Sequence, residues 1–459
     1  MGKNYIYKVV WIVLITMAIL MSLYWLPDIK IGNFELKKID LLSDMRPDGD
    51  YGASEKDLNV AAKNDKEKEA AYADSCKAGM TCIDDYSSDD AHGMAPYYDA
   101  LDKMKSLGRP VRIAVLGDSY IEGDIVTGEL RDMLQKRYGG NGAGFVSMTS
   151  EVVGFRRTVR HTFGGWQSFS AVDHGGFKSD QQFISGRYFN GGPGSWIELA
   201  GQSSYCTHLD TCDESSIFFK AKTYGTVTAT INGGQTQTFN VSASDQLQKL
   251  TVKGRIGRVK WTGCAGTFYG ATMDGKNGIV VDNYSLRGCS GTNLNGMTDE
   301  MLQEIDKLRH YDLIIMEYGL NVANNKMKNY DYYKKPMDQV IAKLKRCCPN
   351  SGILILSVSD RDHRENGEFH TIKGLEKLVQ CQQDMAADAG IAYWNLFQAM
   401  GGEGSMARMV NAKPSMANLD YTHLNFRGGM HIATLLYDAL VWGKMQNERW
   451  KQYENSKKK

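Results

Sequence analysis

The chain carries almost no net charge. Its 54 Lys and Arg stand against 53 Asp and Glu, a formal balance of +1, so no global field draws it to nucleic acid or to an acidic polymer. Basic residues form no long run; Lys457-Lys458-Lys459 reads as a solvated tail. The close-spaced cysteines lack CxxC spacing and no histidine cluster accompanies them, which argues against zinc. No phosphate-binding loop, internal repeat or lid-like amphipathic segment stands out. A nucleic-acid partner, a bound metal and an organic cofactor therefore have no motif to support them.

What is present divides the chain. At 459 residues, 42% of them hydrophobic, it has length for two folded units plus appendages. Val9 to Leu26 is free of charge over 18 residues, close to the minimum for spanning a hydrocarbon core. Lys3 and Lys8 precede it, so the rest of the chain is expected outside the inner membrane, in the periplasm or beyond. A cleaved signal peptide is the competing reading. Tyr24-Trp25-Leu26-Pro27 makes a poor cleavage site, which favours an anchor over residues 1–27. Residues 28–95 are polar and read as a juxtamembrane stalk. Nine cysteines fit export: Cys76 with Cys82, and Cys206 with Cys212, are each spaced to close a small disulfide loop. An odd count leaves at least one thiol free, and Cys347-Cys348 read as buried or unpaired thiols at a helix end.

Val111 to Gly117 (VRIAVLG) is a short apolar run ending in glycine, as in a buried parallel strand. Helical periodicity follows over 125–138. From about 151 to 280 the composition turns to Gly, Ser, Thr and aromatics, with alternating runs such as Thr226 to Ile231 separated by turn signals such as Asn232-Gly233-Gly234. That pattern predicts an antiparallel β-sandwich. From 281 an α/β rhythm returns, with strands over 312–316, 353–358 and 391–394 and helices over 332–346, 372–389 and 426–442. The expected architecture is an α/β unit in two parts, 96–150 and 281–446, interrupted by the β-rich insert and followed by a charged tail over 447–459.

The chemistry-bearing residues fall on the α/β parts. Gly117-Asp118-Ser119 follows the first strand, where a turn points a serine hydroxyl over the carboxyl end of the sheet, near backbone N–H groups useful to an oxyanion. Alone, such a serine is as well a cap or a phosphate contact. Asp420-Tyr421-Thr422-His423 lies before the last helix. An Asp three residues before a His can fix the imidazole tautomer and leave Nε2 to take a serine proton. Between them, Gly291 offers a bare backbone N–H and Asn321 a side-chain amide. With the Ser119 N–H they make three candidate oxyanion donors.

These four blocks, in this order, resemble the SGNH (GDSL-type) hydrolases: Ser119 in GDS, Gly291, Asn321, and Asp420 with His423. The resemblance spans about 110 to 443 without the insert. It implies a flavodoxin-like three-layer α/β/α sandwich and ester hydrolysis by a Ser-His-Asp triad without a metal. Val322 and Leu424 stand where the family often has Asp and Pro, which bears on substrate class rather than chemistry. Ser119 and Gly291 are 172 positions apart, and a β-domain inserted there resembles the peptidoglycan O-acetylesterases. An O-acylated polysaccharide is then the expected substrate. The rivals are an acyltransferase on the same triad, a non-catalytic glycan-binding protein, and a lipase or thioesterase, which would need a long apolar acyl groove. Trp166, Tyr188, Trp196 and Tyr224 read as sandwich core or as a glycan platform, and His363 and His370 as a polar surface loop or a substrate-facing one.

Overall fold

A computed structural model describes residues 76–88, 92–173, 175–327 and 329–457, together with Trp11 and two short strands, Lys30–Ile31 and Phe34–Glu35. The apolar run over 9–26 falls outside the described residues apart from Trp11. Among the described residues no helix is long and apolar enough to cross a membrane.

The α/β unit is built on one six-stranded sheet. Its strands are β1 (Ile83–Asp85), β2 (Val111–Gly117), β3 (Ile279–Ser285), β4 (Leu313–Glu317), β5 (Gly352–Leu356) and β8 (Ala392–Trp394). Their spatial order is β3-β2-β4-β5-β8-β1, parallel throughout except for β1. Numbered by themselves, the parallel strands run 2-1-3-4-5, the flavodoxin-like order. Every residue of β2, β4 and β5 is buried, as expected of strands covered on both faces. Two groups of helices supply the cover. Helix α2 (Thr127–Tyr138) packs on α6 (Phe426–Lys457), while α3 (Asp299–Arg309), α4 (Asp331–Cys347) and α5 (Leu375–Ala389) pack in a row.

Between β5 and α5 a two-stranded hairpin, β6 (Asp362–Glu365) with β7 (Glu368–Thr371), projects from the carboxyl end of the sheet. His363 and His370 are cross-strand partners on it. It is a regular element where the sequence suggested a loop.

The insert is two antiparallel sheets facing one another. One contains Gln248–Ile256, Cys212–Ala221, Gly266–Met273, Arg187–Gly191 and Gln167–Ser170; the other contains Thr236–Val241, Gly225–Ile231, Arg258–Thr262, Trp196–Gly201 and Val159–Gly164. Trp261, Phe219, Phe268 and Val227 fill the space between them. The sandwich begins earlier than expected, because Gly144–Ser147 already pairs with Gly266–Met273. Rings of the insert also pack on the α/β core: Phe145 lies 4.7 Å and Phe183 6.1 Å from Tyr284 of β3.

Arg309, fully buried, ties the two parts together. It makes a fork to Asp274 (2.7 and 2.9 Å) and a second pair of contacts to Asp282 (2.5 and 2.7 Å). Asp282 also accepts from the Phe145 N–H and the Tyr311 hydroxyl.

Three sequence expectations change. The stretch read as stalk through residue 95 contains β1, which pairs with β8, and the Cys76–Cys82 disulfide. Ile-Asp-Asp is too polar to look like a strand, but an edge strand needs only one apolar contact. Cys206 and Cys212 are both buried, free thiols rather than a disulfide. The charged tail is instead the end of α6, held to helix α1 (Ala95–Asp102) by Lys444 on Asp102 and Lys451 on Asp99.

Candidate active site

The register of the sheet places the site. Gly117 at the end of β2 lies beside Ser285 of β3 and Glu317 of β4, and Glu317 beside Leu356 of β5. The loops that leave these aligned ends carry Ser119, Gly291 and Asn321. The structure brings Ser119 Oγ to 2.9 Å from His423 Nε2, and His423 Nδ1 to 2.7 Å from Asp420 Oδ2. Residues 304 positions apart thus form one hydrogen-bonded chain.

Local structure explains how His423 reaches Ser119. Asn425, not Asp420, caps the last helix: its Oδ1 accepts from the Arg427 and Gly428 N–H groups. Asp420 is therefore left to the imidazole. Its Oδ1 accepts from the Thr422 and His423 N–H groups, both at 3.0 Å, while Oδ2 holds the ring. Burial raises the Asp420 carboxyl, but the His423 backbone, the His423 ring and the Thr422 N–H outweigh it, and the net shift is downward. The carboxylate is thus kept charged beside the ring.

Helix α6 begins unusually close to the serine loop. A Cβ on Gly429 would sit 1.8 Å from the Ile125 carbonyl oxygen. Gly429→Ala is expected to destabilise the fold by about 1–3 kcal/mol and to lower turnover as well, because the helix that follows the His423 turn must back away. Denaturant unfolding alongside an ester-hydrolysis assay checks both effects.

The turn after Ser119 differs from a direct entry into a helix. A 3₁₀ turn, Glu122–Asp124, intervenes, and α2 starts only at Thr127. Asp124 is buried with φ +63° and is held by Thr127, Arg131, Arg156 and Thr158. Arg156 and Thr158 come from the insert, so the sandwich helps shape the serine loop. Burial raises the Asp124 carboxyl, but the two guanidinium groups overcome this and hold it well below the usual range.

Two of the three expected oxyanion donors are engaged by the protein itself. Gly291, at φ +87° against the Tyr318 ring, donates its N–H to Cys289 Sγ at 3.3 Å. Asn321 Nδ2 donates to Asp118 Oδ2 at 2.8 Å and to the Cys289 carbonyl at 2.9 Å. Catalytic hydrogen bonds in substrate-free sites often realign when substrate binds. An oxyanion would compete for Gly291 against a thiol, a weak acceptor.

Sequence reasoning passed over Asp118, Cys289 and Glu317. Asp118 is fully buried and accepts from the Tyr120 N–H as well as from Asn321. Burial pushes its carboxyl up to about 6, opposed by those hydrogen bonds and by the charges of His423 and Arg361. Glu317 is also fully buried, and neither carboxyl oxygen has a hydrogen-bond partner among the described residues. Desolvation, and then the charge of Asp118, raises it well above the usual carboxylate range. An acid ending an otherwise apolar strand (LIIME) was the signal available.

Asp118→Asn offers a sharp test. The new amide faces Asn321 Nδ2 donor to donor, so Asn321 must turn away. Loss of one oxyanion donor lowers kcat by about 10²–10³. The stability effect has a definite sign. An acid raised to about 6 in the fold, against about 3.9 unfolded, binds more protons folded than unfolded between those values, so wild-type stability falls as pH rises from about 4 to about 6. The Asn variant should lose that contribution, seen as a flatter urea midpoint across the window.

A polar pocket beside the serine loop is lined by Glu122, Ser150, Glu151, Arg187, Asn283 and Ser285. A cleft at the β1 edge, bordered by Cys82, Asp84, Tyr98 and Trp442, contains none of the site residues. Among the aromatics of the insert, Tyr188 is buried and Tyr224 exposed, while Trp166 is half-buried with its N–H on the Trp196 carbonyl. Among the described residues no three His, Cys, Asp or Glu side chains are grouped to hold a metal ion.

No family model matches the chain, and no curated protein does. Solved structures do. The chain is similar to a peptidoglycan O-acetylesterase "in action, 5 min", with 23% identity and a TM-score of 0.66 over 79% of this chain and 99% of that one. A family two carbohydrate esterase from Cellvibrio japonicus matches at 11% identity and a TM-score of 0.20, over 50% of this chain and 86% of that one. The acetyl xylan esterase AlAXEase matches at 14% and 0.26, over 35% and 81%. Scores at that level carry no weight for the whole fold. The first does: over nearly all of its length, that O-acetylesterase structure and this chain share one fold.

Proposed function

We propose that the protein is a serine ester hydrolase of the SGNH type that removes O-acetyl groups from a polysaccharide, with peptidoglycan the first polymer to test. The observation that carries this reading is the chain of contacts from Ser119 Oγ through His423 to Asp420, 2.9 and 2.7 Å long. It stands at the carboxyl end of a flavodoxin-like sheet, where such folds place their chemistry. The shared fold with an O-acetylesterase structure supports the choice of ester and polymer.

The proposed steps draw on these contacts. His423 Nε2 takes the Ser119 proton as Oγ bonds to the acetyl carbon. The carbonyl oxygen becomes an oxyanion facing the Ser119 and Gly291 N–H groups and Asn321 Nδ2, the last two leaving their internal acceptors. The bond to the sugar oxygen breaks as the imidazolium returns its proton there. Water, deprotonated by His423, then attacks the acetyl-Ser119 ester; the acyl–Oγ bond breaks as the imidazolium returns that proton to Ser119 Oγ, and acetic acid departs, ionising to acetate. Asp420 holds the imidazole tautomer and stabilises its charged form. We place the folded unit outside the inner membrane, held by the apolar run over 9–26; the Cys76–Cys82 disulfide is in keeping with an oxidising compartment.

The test is acetate release from O-acetylated peptidoglycan, O-acetylated xylan and p-nitrophenyl acetate. Release from a polymer without any added acceptor is the expected result. Acetyl transfer to a glycan acceptor with no free acetate would make the protein a transferase, and glycan binding without turnover would make it a binding protein.

A further inference from the structure

The hairpin β6–β7 touches the site without contributing any of the residues used above. Phe369 on β7 is 37% exposed, so it is not a core residue, yet its ring lies flat on that of Tyr421. The centroids are 3.5 Å apart and the planes 6° from parallel. Tyr421 sits between Asp420 and His423, is buried, and has φ +54°. A non-glycine residue in the left-handed region costs about 1–2 kcal/mol, so its surroundings must hold it there.

The contacts that hold it converge from the hairpin and from the turn itself. The Asp362 N–H donates to the Tyr421 carbonyl at 3.1 Å, the Tyr421 N–H to the Asn418 carbonyl at 3.1 Å, and the Asn418 N–H to the His423 carbonyl at 2.8 Å. Thr371 Oγ1 ties the base of the hairpin to Asp360 at 2.8 Å. Just before the hairpin, Arg361 Nη1 donates to the Leu320 carbonyl at 3.0 Å, one residue from Asn321. The segment 361–371 therefore braces both the Asp-His turn and the loop of the amide donor. Strand alternation puts Phe369 and its partner Arg364 on one face of the hairpin, and His363 with His370 on the other. The histidines, flanked by Glu365 and Glu368, take no part in the site.

We propose that Phe369 is a positioning residue for acyl transfer. Its ring covers Tyr421 and keeps the 420–423 turn in the left-handed geometry that directs Asp420 onto His423 and His423 onto Ser119. The proposal rests on the esterase reading. It predicts a cost in turnover rather than in substrate binding, since Phe369 acts through the turn.

The experiment compares wild type, Ser119→Ala, Phe369→Ala, Phe369→Leu and Phe369→Tyr on p-nitrophenyl acetate, with thermal unfolding of each. Phe369→Ala should lower kcat by about 10²-fold, the scale of a 1 Å misplacement, with KM unchanged. Phe369→Leu keeps apolar bulk without a flat face; it should keep the wild-type Tm and still lose turnover. Phe369→Tyr should restore it. A wild-type kcat in both the Ala and Leu variants, a change confined to KM, or equal losses in Leu and Tyr would each overturn the proposal. Equal activity in wild type and Ser119→Ala would instead remove the esterase reading beneath it.

Discussion

Ser119→Ala is expected to abolish ester turnover, with kcat falling by about 10⁶-fold, as when the serine of a comparable triad is removed. The residual rate is set by whatever oxyanion donors and binding contacts survive. The fold should be unaffected. Among the described residues Ser119 Oγ makes one hydrogen bond, to His423 Nε2, and alanine fits a turn whose shape is fixed by Asp118 on the Tyr120 N–H and by the Glu122 N–H on the Ser119 carbonyl. Matched unfolding curves together with lost acetate release are the result sought. An alanine variant that hydrolyses p-nitrophenyl acetate at the wild-type rate would show that the 2.9 Å contact is incidental to any activity of the protein.

The second large effect concerns stability. Arg309→Met should cost about 3–5 kcal/mol, the range for breaking one side of a buried ion pair. Two carboxylates, Asp274 and Asp282, lose their directly bonded counter-charge at once, and both are buried. Burial raises the Asp274 carboxyl, but Arg309 above all, with the Arg112 charge and the Thr272 side chain, lowers it on balance; without Arg309 only the two weaker contributions are left to oppose the desolvation. Asp282 would keep the Phe145 N–H and the Tyr311 hydroxyl, so the heavier loss falls on Asp274. Adding Asp274→Asn to Arg309→Met should recover part of the urea midpoint, because a neutral amide is cheaper to bury than an unpaired charge. If Arg309→Met unfolds at the wild-type midpoint, the network contributes nothing net.

The site was legible in the chain because three of its four blocks, those of Ser119, Gly291 and Asn321, follow strand ends. VRIAVLG, DLIIM and ILILSV announce themselves through continuous apolar runs, and residues just beyond parallel strand ends are where α/β folds place their chemistry. The Asp420–His423 spacing is local and so is its hydrogen bond. The features that escaped depend on long-range packing. That Asn321 leans on Asp118, 203 positions away, has no local signature, nor does the alignment of Phe369 with Tyr421. β1 went unread because its pairing with β8 compensates for a polar sequence. Close spacing suggested a disulfide for Cys206 and Cys212, but Cys212 begins a strand of the sandwich and Cys206 precedes a 3₁₀ turn, and both thiols are absorbed into the core instead.

The passages between the two parts have a mechanical consequence. Five residues separate Tyr138 at the end of α2 from Gly144, where the insert begins, and five separate Met273 from Ile279 on the way back. Spans so short, with interleaved rings and a shared arginine beside them, leave the sandwich no swivel. A polymer seated anywhere on it would meet Ser119 at a constant reach and angle, as a workpiece meets a tool clamped to the same bench, whereas a tethered module would search through many orientations.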